Sequence, residues 1–84
     1  MSPEEIKTIL EEKIEGSEVQ ATGDGSHFQV VVISDNFDGA RPVKRQQMIY
    51  AHLGDKIQSG ELHALSIKTY TQEEWQTAQK LQVG

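Results

Sequence analysis

Apolar and polar positions along the chain alternate between helical and strand spacing. Ile6, Ile9, Leu10 and Ile14 recur at a helical period, which predicts an amphipathic helix near the start. Ser2-Pro3-Glu4-Glu5 opens it well: Ser2 caps, Pro3 fits the first turn, and Glu5 completes a capping box. Glu15-Gly16 ends that segment, and Val19–Thr22 is a short strand. Gly23-Asp24-Gly25-Ser26 reads as a hairpin loop. His27–Ser34 is the strongest strand, dense in β-branched residues. A loop around Phe37 and Gly39 follows over 35–41. Pro42 then starts a second helix with an apolar stripe of Ile49, Leu53 and Ile57. Gly54 interrupts this stripe, and a helix-interior glycine costs up to ~1 kcal/mol, so a break or kink is expected there. Ser59-Gly60 stops the helix, and His63–Tyr70 is a third strand with Leu65 and Ile67 on its core face. Thr71 and Glu74 form a capping box for a last helix carrying Trp75 and Leu81.

The order is α-β-β-α-β-α, a single domain over residues 1–84 of the α/β (α+β) class. The first two strands should form a hairpin. The second and third are separated by 28 residues (35–62), long enough for a right-handed helical crossover, so they should run parallel. The expected architecture is a three-stranded mixed sheet with helices packed mainly on one face.

Composition narrows the functional classes. Eight Lys and Arg stand against thirteen Asp and Glu, a net charge of −5, which disfavours tight non-specific binding to nucleic acid. There is no cysteine, so a disulfide scaffold, a thiol nucleophile and an all-cysteine metal site are excluded. No apolar run approaches the length of a membrane span, and the first thirteen residues hold no signal-peptide core. A soluble cytoplasmic domain is the expectation.

Candidate chemistry is sparse. Parallel neighbours begin at the same sheet edge, so His27 and His63, opening the second and third strands, come close there, with the 23–26 loop overhanging them. Histidine is the commonest metal ligand and titrates near neutrality. Strand parity opposes the pairing: His63 shares the parity of Leu65 and Ile67, while His27 is opposite in parity to Phe28, Val30 and Val32. On spacing alone the plainer reading is a half-buried His63 bonded to backbone and a solvated His27. His52 lies beside the core stripe of the second helix and is expected to be partly buried. Arg41, Lys44 and Arg45 cluster at that helix's start. Residues 38–58 carry four basic and two acidic groups, whereas residues 1–18 carry two basic and six acidic. The cluster is either a docking patch for an anionic partner, glutathione carboxylate or phosphate, or an ordinary solvated face. The carboxylate pairs Glu11-Glu12 and Glu73-Glu74 fall on exposed helix faces, without the burial that tunes a catalytic acid. No phosphate-binding loop, dinucleotide fingerprint, nucleophile elbow or GXXG loop is present. No enzyme is predicted.

Across nearly the whole chain, HFQVVVIS, FDGARPVKRQQMIY and ELHALSIKTYTQEEW resemble the BolA family, and within it the small IbaG-type branch. The most specific pieces are Phe37-x-Gly39 followed by Arg45 and Ile49-Tyr50, and His63-Ala64-Leu65 followed by Thr71 and Glu74-Trp75. The resemblance implies a class II KH-like fold. It also implies partnership with a monothiol glutaredoxin of the CGFS type, the two proteins bridging a [2Fe–2S] cluster. The glutaredoxin gives its cysteine and a bound glutathione gives a second thiolate. The BolA-like partner gives the histidine of the HAL motif, here His63, and a ligand from the loop between its first two strands.

Many members place a cysteine in that loop. Here the stretch is Thr22-Gly23-Asp24-Gly25-Ser26-His27, with His27 and then Asp24 as candidates. With His27, two imidazoles would face two thiolates, as in clusters whose neutral histidines raise the reduction potential. Without a thiol of its own the chain is a partial ligand set that a partner completes. The expected function is an adaptor in iron–sulfur cluster assembly, trafficking, iron regulation or stress response, monomeric or weakly dimeric alone. The alternative is a nucleic-acid-binding transcriptional regulator using the KH-like fold. Gln46-Gln47 stands where many relatives have His-Arg, which makes the helix less basic than that role asks.

Overall fold

A computed structural model describes residues 2–24, 26–62 and 64–82. The elements are α1 (Pro3–Lys13), β1 (Glu18–Gly23), β2 (His27–Ile33), a 3-10 turn (Asp35–Phe37), α2 (Pro42–Gln58), β3 (Ala64–Tyr70) and α3 (Gln72–Gln82). Ser2 caps α1 through Glu5 N–H while the Glu5 carboxylate accepts from Ser2 N–H, the reciprocal box expected from the sequence. The box at α3 is also made: Thr71 Oγ1 accepts from Glu74 N–H at 3.2 Å, and Glu74 Oε1 accepts from Thr71 N–H at 3.0 Å.

The sheet order is β1-β2-β3, with β1 antiparallel and β3 parallel to β2. Pairing runs from Glu18↔Ile33 to Gly23↔Phe28 on one side of β2 and from His27↔Ala64 to Ile33↔Tyr70 on the other. Alternate residues therefore divide between two faces. Val19, Phe28, Val30 and Val32 enter the core with Ile6, Leu10 and Ile14 from the α1 segment and Ile49 and Leu53 from α2. Phe37 and Leu62 close that core. The opposite face presents Gln20, Thr22, Gln29, Ser66 and Lys68 to solvent.

The third helix is the exception to one-sided packing. Ile33 and Tyr70 pair in register on the outer face, yet Ile33 is fully buried and the Tyr70 ring lies 5.2 Å from Trp75 of α3. So α3 covers that end of the outer face. Two local expectations need correction. The segment after β2 is a 3-10 turn, not an open loop, because Ser34 Oγ accepts from Asn36 N–H and Phe37 drives into the core. And α2 runs unbroken through Gly54: Ile49 and Leu53 anchor it just before, and burial outweighs a propensity penalty of ~1 kcal/mol. Gly60, with φ +83, follows the Ser59 cap and stops it, its N–H donating to the Ile57 carbonyl.

Candidate ligand edge and the basic helix start

Parallel pairing decides which residues share an edge. His27 is the first residue of β2, exposed, and in register with Ala64, the residue that follows His63 in the sequence. His63 itself lies outside the described residues. The backbone thus sets His27 beside the first residue of β3. The outer face next to this edge carries a cleft of about 210 Å³ lined by Gln29, Val30, Val31, Ser66 and Lys68.

The hairpin loop is ordered by its aspartate. Asp24 Oδ1 accepts from Ser26 N–H and His27 N–H, both at 2.9 Å, and Asp24 N–H donates to the His27 carbonyl at 3.2 Å. The His27 and Ser26 amides hold the Asp24 carboxyl below its ordinary value of 3.8, and the nearby His27 ring acts in the same direction. This carboxylate therefore works as a turn former with one oxygen doubly engaged, and His27 is the freer donor of the two loop candidates. Gly23 has a role the sequence reading missed. A Cβ there would meet the Phe28 ring at 2.5 Å and the His27 carbonyl at 2.9 Å, so a side chain would wedge open the hairpin mouth beside His27. Only the three-dimensional closeness of the Phe28 ring reveals that constraint. Among the described residues, no three His, Cys, Asp or Glu side chains come together as a metal site.

The basic cluster does not survive as a trio. Arg41 and Lys44 are exposed, but Arg45 is buried. Its Nε donates to the Ala40 carbonyl at 2.8 Å, and its two terminal nitrogens donate to Glu74 Oε1 and Oε2 at 2.6 and 3.2 Å. Its guanidinium also sits 5.8 Å from the centroid of Phe37. Sequence spacing pointed Arg45 outward with its neighbours; helical geometry turns it inward, since it lies four residues before the buried Ile49. Glu73 and Glu74 are both exposed, as the sequence reading has them, but Glu74 is engaged by this contact as well as by its cap. Arg45 bonding first, and the Thr71 N–H second, lower the Glu74 carboxyl below its ordinary value of 4.5. Glu11 likewise accepts from Val19 N–H at 3.1 Å, tying α1 to β1.

The patch and the histidine edge also stand apart. The crossover makes α2 run antiparallel to β2, so Arg41 and Lys44 lie at the end where β2 finishes and His27 where it starts. A helix of 17 residues spans about 25 Å. One glutathione-sized group cannot contact both. His52, expected to be partly buried, is exposed on α2.

The BolA-like protein model matches residues 2–74. The chain is 43% identical over 81 residues to the acid stress protein IbaG of Escherichia coli strain K12, covering 96% of each. It is 40% identical over 74 residues to the DNA-binding transcriptional regulator BolA of Vibrio cholerae, covering 88% of this chain and 66% of that one. The solved structure of a BolA homologue from Coxiella burnetii superposes with a TM-score of 0.81 at 39% identity, over 90% of this chain and 97% of that one. Identity along nearly the full length, joined to the α-β-β-α-β-α order and the mixed three-stranded sheet, makes this chain a member of the BolA-like protein family.

Proposed function

We propose that this protein is an adaptor that pairs with a monothiol glutaredoxin and co-ligates a bridging [2Fe–2S] cluster through His63 and His27, in cluster trafficking or iron regulation. The observation that supports this reading most is the register of β2 with β3: an exposed His27 pairs with the residue after His63, beside a hairpin mouth kept narrow by Gly23. The donor set suits a shared cluster. The chain has no thiol, the Asp24 oxygen nearest the turn is engaged by two amides, and imidazole is what remains to offer. The cluster would supply electron-transfer or transferable iron–sulfur chemistry, with thiolates from the glutaredoxin cysteine and glutathione. The protein's own share is to present imidazole from a rigid strand edge.

Anaerobic reconstitution with a monothiol glutaredoxin, ferrous iron, sulfide and glutathione tests this. Visible absorption and circular dichroism should change on adding the protein and saturate at one-to-one, and His63→Ala should alter the new spectrum. His27→Ala assigns the loop ligand. A glutaredoxin spectrum unchanged at every ratio rejects the reading.

A second reading, nucleic-acid binding, is favoured by the Vibrio cholerae relative's name. Opposing it, pairing of Arg45 with Glu74 leaves two exposed cations, Arg41 and Lys44, at the start of α2. Two charges neutralise few phosphates, so affinity from them falls steeply with salt. Sequence-selective mobility shift surviving about 0.15 M salt would reverse the preference.

A further inference from the structure

The sheet has two edges, and they are finished differently. At β1 the Val19 N–H, which points away from β2, donates to Glu11 Oε2 of α1 at 3.1 Å. β3 is a regular strand of seven residues, Ala64–Tyr70, paired to β2 without a bulge and holding neither proline nor glycine. The Tyr70 carbonyl accepts from Ser34 N–H at 2.9 Å, which fixes the phase of the parallel ladder. Ser66, Lys68 and Tyr70 thus turn their backbone groups toward β2, while Leu65, Ile67 and Thr69 turn theirs to the open edge. Among the described residues, no second strand and no turn takes up those N–H and C=O groups.

The side chains stop as abruptly as the ladder. Leu65 and Ile67 face the core in register with Phe28 and Val30, which are 3% and 1% exposed, yet both are only half-buried because the sheet ends at them. On the other face Lys68 is exposed and is the one charged side chain of β3. Among the described residues it has no carboxylate within ion-pair distance. A long, regular edge is ordinarily blunted by a bulge, a proline, several charges or a covering element. Here a single lysine is the whole protection.

We propose that the β3 edge receives an extended segment of a partner protein as a fourth strand, apolar on its core face and carrying a carboxylate beside Lys68. An extended chain is the ligand whose own donors and acceptors repeat at the spacing of the free groups on Leu65, Ile67 and Thr69. Alternation then sets what that chain must carry. Residues level with Leu65 and Ile67 on the core side are apolar and widen the core by one strand. The residues between them emerge on the outer face, where Lys68 selects aspartate or glutamate. The inference uses neither histidine and stands independently of the cluster reading.

The probe is a blocked peptide of alternating valine and glutamate, matched to β3 in length. Without it, the Leu65, Ile67 and Thr69 amides should exchange with solvent faster than those of Ser66, Lys68 and Tyr70, which face β2. Peptide at about 0.1–1 mM should slow exchange at the first set and shift β3 resonances in heteronuclear NMR. Lys68→Glu should weaken that peptide about 5–10-fold and favour a valine–lysine peptide by a similar factor. Its circular dichroism spectrum should be unchanged, since Lys68 lies outside the core. Methylating one alternate set of peptide backbone nitrogens should abolish binding and methylating the other should not, and the sensitive set reads the strand direction. Unprotected Leu65, Ile67 and Thr69 amides at about 1 mM peptide, equal sensitivity to both methylated sets, or a peptide preference unchanged by Lys68→Glu would each overturn the proposal. So would protection that rises with the protein's own concentration in the absence of peptide, since the edge would then belong to a second copy.

Discussion

The Arg45–Glu74 contact joins α2 to the start of α3 and has an asymmetry that can be tested. The Arg45 side chain is 9% exposed and Glu74 is 48% exposed. Removing Glu74 therefore strands a largely buried guanidinium, whereas removing Arg45 leaves a carboxylate that water can reach. Breaking a fully buried pair costs about 3–5 kcal/mol, and an exposed pair is worth about 0–1 kcal/mol. With one partner half in solvent, Glu74→Ala should fall between these limits, near ~2 kcal/mol. That figure includes loss of the capping interaction with Thr71 N–H, about 0.5–1 kcal/mol by itself. Arg45→Met retains apolar contact with Phe37 and leaves no buried charge, so it should cost only ~1 kcal/mol. The double variant should be no less stable than Glu74→Ala alone, because the stranded charge is gone. Urea unfolding with a common slope measures all three, and for a domain of this size ~2 kcal/mol corresponds to a midpoint fall of roughly 8–16 °C. If Arg45→Met proved more damaging than Glu74→Ala, or if the two losses simply added in the double variant, the assignment of the buried charge as the sensitive partner would be wrong.

The same pair sets a pH dependence. The folded Glu74 carboxyl is depressed, so its contribution is complete above about pH 4.5 and lost as pH falls through the lowered folded value. Acid unfolding monitored by circular dichroism should shift to higher pH in wild type than in a variant whose contribution is already absent only if this sign is reversed; the expected result is a shallower acid loss for Glu74→Ala than for wild type. Gly54→Ala should stabilise the monomer by up to ~1 kcal/mol, seen as a raised urea midpoint at low protein concentration, because the added methyl enters open space in a continuous helix. Gly23→Ala should destabilise by about 1–3 kcal/mol, as its Cβ meets the Phe28 ring at 2.5 Å, and heteronuclear NMR should show the largest shifts at His27 and Phe28. Phe37→Ala should lose about 3–5 kcal/mol in the same urea assay, since Phe37 is fully buried and also underlies Arg45.

Local chemistry was legible without coordinates. The Ser2–Glu5 and Thr71–Glu74 boxes, the alternation of His27–Ile33 and the parallel crossover all depend on neighbours in sequence or on chain length, and the structure contains each of them. From the crossover alone, His27 could be assigned to the edge where the third strand begins. Three features had no such signature. Arg45 looked like a member of a basic cluster until its helical position, four residues before Ile49, met a carboxylate 29 residues further on. Gly23 looked like a loop glycine, although what fixes it is the volume of the Phe28 ring across the hairpin. Gly54 looked like a break, yet burial of Ile49 and Leu53 holds the helix through it. The amino-acid sequence by itself determined the elements, their order and the sheet edge where His27 meets the start of β3, because these follow from periodicity, capping and the handedness of connections. Only the tertiary structure decided which charges remain available and how far the basic helix start stands from His27. Charge pairing and separation depend on distances between residues remote in the chain, and spacing along a sequence carries no such distance.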